Sequence, residues 1–202
     1  MITVSIDSKR FGASPVLGAL AFSIAAGETV ALVGPSGVGK TTLLRIIAGI
    51  DSDFEGQIVR PQAMAIVFQE PTLLPWRSVL ANLTLIHKGL THSEAVHMLD
   101  DVGLSGKEQL FPGQLSLGQQ RRLSLARAFA GRPELLIMDE PFVSLDRETA
   151  ETMLTLTENL IARHRPATLF VTHSSDEANR LANRTLVMKP LPTGAVLTPS
   201  DA

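Results

Sequence analysis

The residues Gly34-Pro35-Ser36-Gly37-Val38-Gly39-Lys40-Thr41-Thr42 have the spacing G-x-x-x-x-G-K-[ST] of a phosphate-binding loop. The stretch follows an apolar run, Thr29–Val33, and opens into a helix-like run, Leu43–Ala48, so the strand–loop–helix setting that the motif needs is in place. Glycines let backbone N–H groups curl round a phosphate with no Cβ in the way. The free N–H groups at the helix start add partial positive charge. Lys40 can reach the outer phosphates, and one such charge pair at about 4 Å gains roughly 4 kcal/mol at an effective dielectric near 20. The Thr41 hydroxyl is placed to ligate Mg²⁺.

A second constellation is Asp139-Glu140, closing the apolar run Leu135–Met138 and followed by Pro141. Neighbouring strand residues point to opposite sides, so the two carboxylates can take different tasks. Asp139 could hold Mg²⁺, and Glu140 could polarise a water for attack on a terminal phosphate. Alone, the pair would be a common surface dipeptide; behind a buried-type strand and beside a phosphate loop, the chemical reading is preferred. His173 follows another apolar run, Leu169–Thr172, and precedes Ser174 and Glu177, which cap a short helix. In an open α/β sheet that strand end faces the crevice holding the loop, so His173 is read as a phosphate contact rather than a structural residue.

Other candidates are weaker by themselves. Ser116-Leu117-Gly118-Gln119 opens a helix whose first turn could bind an anion, although a plain helix cap explains it equally. Arg121 and Arg122 read as a solvated face. Phe11 reads as a minor core residue or as an aromatic platform for a base. His87, His92, His97 and His164 lack metal-ligand spacing and read as surface residues.

These residues need a scaffold. With 202 residues, a net charge of −2 and no cysteine, the chain suits one domain without disulfides or thiolate metal sites, and without a broad nucleic-acid-binding face. The apolar run from Val16 to Ala26 loosely mimics a signal peptide but reads better as a strand pair packed on the core. No uninterrupted apolar segment approaches bilayer-spanning length, so the chain is expected to be soluble by itself. Ile2, Val4 and Ile6 alternate with polar residues as in a half-buried strand, and strands are also expected over 56–59, 64–68, 135–138, 169–171 and 186–188. Between Pro71 and Gly131 the pattern is helical, with capping boxes at Thr91/Glu94 and Ser116/Gln119. A further helix carries Met153, Leu154, Leu160 and Ile161 on one face. The expected fold is therefore α/β: a mainly parallel central sheet, an N-terminal antiparallel β portion and an inserted helical subdomain. The expected division is a single domain with a core over 1–70 and 132–189, a helical subdomain over 71–131, and a loosely packed Pro-rich tail over 190–202.

Taken together, the chain resembles the nucleotide-binding subunit of an ATP-binding cassette (ABC) transporter over nearly its whole length. The resemblance rests on Gly34–Thr42, Gln69, Leu115–Gln119, Leu135–Pro141, Ser144-Leu145-Asp146 and His173, in the family's order. It implies a P-loop NTPase that binds ATP and Mg²⁺, with Gly34 to Thr42 on the phosphates, Thr41, Asp139 and Gln69 toward the metal, and Lys40, Glu140 and His173 in catalysis. Phe11 resembles the aromatic that stacks on adenine. Ser116, Gly118 and Gln119 resemble the signature that contacts ATP bound to the opposite subunit, and Asp146 the aspartate linking the two sites. The usual signature has a glycine where Leu117 stands, and any positive φ there would be strained.

The segment Phe68–Val79 is similar to cassettes of the nitrate/sulfonate/taurine importer group, in the loop that docks the membrane subunit. The partners implied are a second cassette (identical or homologous), integral membrane permease subunits and a solute-binding protein, with no nucleic acid. The location implied is peripheral, on the cytoplasmic side of the inner membrane. The C-terminal regulatory domain of some importers is not expected, because the chain ends soon after Met188. Two rival readings are a soluble ABC-type ATPase of repair or translation, and a degenerate cassette that hydrolyses weakly because of Leu117. The first would call for a long coiled coil or tandem cassettes, neither of which the chain has.

Overall fold

A computed structural model describes residues 1–199, which divide into two compact units. The first comprises Met1–Ile66, Glu134–Glu140 and the described residues from Arg165 onward. Its N-terminal portion is antiparallel. Strand β1 (Ile2–Phe11) buries Ile2, Val4 and Ile6 and exposes Thr3 and Ser5, as the alternation predicts. The two segments expected to pair with each other, β2 (Ser14–Leu17) and β3 (Leu20–Ile24), instead pair with successive stretches of β1, at Lys9–Phe11 and Ile2–Ile6. Strand β5 (Glu55–Val59) completes this sheet.

The six-stranded sheet has the order β10-β9-β4-β8-β7-β6. Its members are β4 (Thr29–Val33), β6 (Met64–Val67), β7 (Leu135–Asp139), β8 (Ala167–Val171), β9 (Arg184–Lys189) and β10 (Val196–Pro199). Strands β9, β4, β8 and β7 run parallel. Val30–Leu32, Leu135–Met138 and all of β8 are buried, which is why these strands read as unbroken apolar runs. Helix α1 (Lys40–Ala48) contacts β7 and buries Leu43, Leu44, Ile46 and Ile47. It stops at Gly49, whose left-handed φ of 72° lets its N–H reach back to Arg45 and Ile46 carbonyls.

The tail departs from expectation. Through Pro199 it is ordered into the β sheet: β10 pairs antiparallel with β9, and Ala195 is buried and exchanges backbone bonds with Val16 and Gly18. Gly194 makes this possible. Its φ is 112°, and a Cβ there would lie 2.5 Å from Leu17 and Gly18 backbone atoms. The expectation for residues 200–202 lies outside the described residues.

The second unit comprises Val67–Pro133 and Pro141–His164. It holds α2 (Val79–Thr84), α3 (His92–Asp101), a 3₁₀ turn at Pro112–Gln114, α4 (Leu117–Ala130) and α5 (Arg147–His164), which packs on α4. Both capping boxes form, at Thr91/Glu94 and Ser116/Gln119. Three side chains read as surface prove otherwise. Arg121 is only 7% exposed and donates to the Pro141 carbonyl at 2.9 Å. His87 bonds the Arg127 carbonyl at 2.7 Å, and His164 lies against the Phe129 ring with centroids 5.3 Å apart. His87 and His164 are half-buried, and all three are amphipathic groups whose long or flat bodies can pack while their polar atoms bond, which composition alone does not reveal. The irregular segment before α2 is pinned by Asn82, fully buried, which accepts from Leu74 N–H and donates to carbonyls of Leu74, Arg77 and Ser78.

Candidate functional site

Three neighbouring strands of the first unit deliver their chemistry at carboxyl ends. Gly34–Gly39 follow β4, Asp139 ends β7 with Glu140 next, and His173 lies two residues beyond β8. In the order β4-β8-β7 these ends lie side by side.

The loop has the geometry that its glycines imply. Gly37 has φ of 75° with open space where a Cβ would be, and Gly39 has φ of 114° with Leu17 Cδ2 only 2.9 Å from that position. Gly34 is closed in from behind, a Cβ there meeting the Met188 carbonyl at 2.6 Å. Pro35 and Ser36 are exposed, Val38 is buried beneath them, and Thr42 is half-buried. No side chain caps α1 at Gly39, so the positive end of the helix is left for another acceptor. Lys40 is buried and donates to the carbonyls of Gly34 at 2.9 Å and Pro35 at 3.0 Å. These bonds use two of its three donors. Burial lowers its pKa against the pull of Glu140 and Asp139.

Beside the loop, the Thr41 hydroxyl donates to Asp139 Oδ2 at 3.1 Å. Burial raises the Asp139 pKa, opposed by the Thr41 hydroxyl and reinforced by the charge of Glu140. Glu140 is not a strand residue with a pleat-determined direction, as the sequence reading assumed. It has φ of 48°, a left-handed turn that re-aims the carboxylate at a cost of about 1–3 kcal/mol. Its N–H bonds the Val171 carbonyl, and its Oε1 accepts from His173 Nε2 at 2.6 Å, with the proton assigned to that nitrogen. Thr172, next to His173, is itself held by a hydrogen bond to Glu177. Thus Gly34–Thr42, Asp139, Glu140 and His173 come together in one unit.

The remaining candidates are elsewhere. Phe11 ends β1, 57% exposed, with the Lys9 ammonium 4.7 Å from its ring centroid. Gln69 is exposed two residues past β6. In the second unit Ser116 caps α4, its hydroxyl accepting from Gln119 N–H while Gln119 Oε1 accepts from Ser116 N–H. Gly118 has Thr149 Cγ2 3.0 Å from where a Cβ would stand. Asp146 Oδ1 accepts the Thr149 N–H at 2.9 Å near the start of α5.

Leu117 is unstrained. It is the first residue of α4 and is not one of the four non-glycine residues with positive φ among the described residues. Leu117→Gly therefore relieves nothing. We expect it to lower stability by about 0.5–1 kcal/mol through helix entropy, read as a reduced midpoint in urea unfolding.

Two open cavities of about 520 and 530 Å³ lie away from the phosphate loop, one lined by β3, β9 and β10 residues and the other by His87–Leu90 and Ala130–Arg132. The loop itself is a surface cradle. Its chemistry, not its depth, marks it as the site.

The ABC transporter family model matches residues 17–143. The chain is 45% identical to the aliphatic sulfonates import ATP-binding protein SsuB 3 of Rhodococcus jostii, over 93% of this chain and 70% of that one. It is 48% identical to the protein of the same name from Paraburkholderia xenovorans, over 90% and 74%. Among solved structures, a dimeric ATP-binding cassette in a post-hydrolysis state bound to ADP and Pi superposes with a TM-score of 0.79, at 26% identity and 96% coverage of both chains. The chain belongs to the ABC transporter family, as an ATP-binding and ATP-hydrolysing subunit.

Proposed function

We propose that this subunit powers import of a sulfonate-class solute through a membrane permease, as one of a pair of cassettes served by a solute-binding protein. The relatives' names support the solute class and direction, and the resemblance of Phe68–Val79 to sulfonate-type importers supports the docking loop. No helix among the described residues is long and apolar enough to cross a membrane; the relatives' names as import ATP-binding proteins support a peripheral place on the cytoplasmic side of the inner membrane. The domain division we propose keeps 71–131 as the helical subdomain that moves with the permease.

The observation that carries the mechanism is the joint placement of Thr41 on Asp139 and Glu140 on His173 beside the loop. The donor set at Thr41 and Asp139 suits a hard cation: a hydroxyl and a half-buried carboxylate whose negative form needs a positive partner. Among the described residues no cluster of three acidic or His side chains could cage a metal, so phosphate oxygens, water and Gln69 would complete its shell. Bound there, Mg²⁺ would neutralise charge on the outer phosphates. The loop N–H groups of Gly34–Gly39 and α1 would hold the triphosphate, Lys40 would turn its third donor to the outer phosphates, and Thr42 would extend the loop's grip. Glu140 would take a proton from the attacking water. His173 would fix the Glu140 carboxylate and face the terminal phosphate. Phe11 would stack on the adenine. Ser116, Gly118 and Gln119 of one copy would cover ATP on the other, with Asp146 joining the two sites.

The test is affinity purification from membranes. The chain should co-purify with an integral membrane protein, and its ATPase rate should rise when the two are reconstituted with a solute-binding protein and a sulfonate. Recovery with ribosomes or DNA and no membrane protein would overturn the proposal.

A further inference from the structure

The Lys9 side chain is the largest fully buried polar group of the molecule among the described residues, and it bonds neither the phosphate loop nor Asp139 and Glu140. Its ammonium donates to Asp51 Oδ1 at 2.9 Å, to the Asp53 carbonyl at 2.5 Å and to Asp53 Oδ2 at 3.3 Å. Those bonds account for its three donors. The same nitrogen stands 4.7 Å from the centroid of the Phe11 ring. The β1–β2 register shifts between Lys9 and Arg10, a bulge that interrupts the two-residue alternation, and it is the ring contact itself that shows the ammonium and the Phe11 ring meeting. Phe11 nevertheless keeps more than half its surface open.

The place of this pair matters. Lys9 is the β1 partner of Leu17, and Leu17 is the side chain that abuts Gly39 of the phosphate loop. The ring is therefore mounted one strand away from the loop, on a charge fixed from two sides by the 51–53 segment that follows α1. A cation on one face of a benzene ring draws electron density toward itself, which leaves the opposite face less negative and better matched to an electron-rich purine. A tethered cation also restrains the ring from turning, so less order is lost when a base lands on it.

We propose that Lys9, held by Asp51 and Asp53, is a positioning residue for the base subsite: it fixes and polarises Phe11 so that the open ring face takes the adenine. The inference rests on the reading of Phe11 as the adenine platform. It separates the base from the phosphates, because the Lys9 ammonium spends its three donors on Asp51 and Asp53 rather than on the phosphate loop.

Titration calorimetry with magnesium and either ATP or inorganic tripolyphosphate tests it. The quantity read is the ratio of the tripolyphosphate Kd to the ATP Kd, which a general folding defect would not shift selectively. Lys9→Met should lower that ratio about tenfold, with tripolyphosphate affinity within about twofold of the parent. Phe11→Ala should lower it at least as far, and Lys9→Met should add nothing further in the Phe11→Ala background. Lys9→Arg, which keeps a cation, should retain most of the ratio, and Asp51→Asn should lower it partly. These two variants decide the matter if Lys9→Met does not fold. An unchanged ratio in Lys9→Met, or in Asp51→Asn together with loss in Lys9→Arg, overturns the role of Lys9 while Phe11→Ala still reports a platform. An unchanged ratio in Phe11→Ala overturns the platform reading itself, and the proposal with it.

Discussion

Glu140→Gln reduces ATP turnover by about 10²–10⁴-fold and leaves ATP affinity within about threefold. The substitution changes one oxygen for an NH₂ group and nothing else that the structure uses. Its Oε1 can still accept from His173 Nε2, now bonded at 2.6 Å. The left-handed backbone at φ 48° is no harder for Gln than for Glu, so stability should not change. What disappears is the capacity to accept a proton from water. Steady-state phosphate release and equilibrium ATP binding, measured on the same preparation, separate the two effects. Because hydrolysis is what would release the closed pair, the variant should also accumulate as an ATP-bound dimer in size-exclusion chromatography. Wild-type turnover in Glu140→Gln would remove this residue from the mechanism.

Lys40→Ala acts one step earlier, on binding. A charge-assisted bond to phosphate is worth about 1.5–3 kcal/mol, so its loss should weaken ATP binding by roughly 10–100-fold. A second effect adds to it. Lys40 also ties the Gly34 and Pro35 carbonyls together, and without it the loop loses the bonds that hold its curl. Lys40 is also a desolvated cation whose charged form burial disfavours, and relief of that cost offsets the two lost carbonyl bonds in the apo chain. The expected pattern is a lower ATP affinity at an unchanged or slightly raised melting temperature. Thermal melting with and without MgATP checks both halves: the ligand-induced shift shrinks while the apo midpoint stays.

Much of this is legible in the amino-acid sequence. The loop, Asp139, Glu140 and His173 each sit at a junction where an apolar run meets Gly, Pro or a helix cap, and those junctions become carboxyl ends of adjacent parallel strands. What stayed hidden depends on tertiary context. Glu140 continues the strand by pattern, yet its backbone turns left-handed once Val171 takes its N–H. Leu117 invited an expectation of strain because glycine usually stands there, but a helix N-terminus at Ser116 asks for no positive φ. The final strand, β10, depends on Gly194 passing within contact of Leu17 and Gly18, a meeting of residues far apart in sequence that no local pattern encodes. Lys9 and Arg121 are charged, so composition places them outside; carboxylates 42 and 44 residues away in one case, and a carbonyl in the other, allow burial.

The central claim is that the chain grips its nucleotide by the outer phosphates at Gly34–Thr42. Calorimetric titration of the wild-type chain with ATP, ADP and AMP in magnesium tests it most directly. ATP and ADP should bind, and AMP should bind at least about 10²-fold more weakly, each lost phosphate removing charge-assisted bonds. Equal affinity for AMP and ATP would contradict the account.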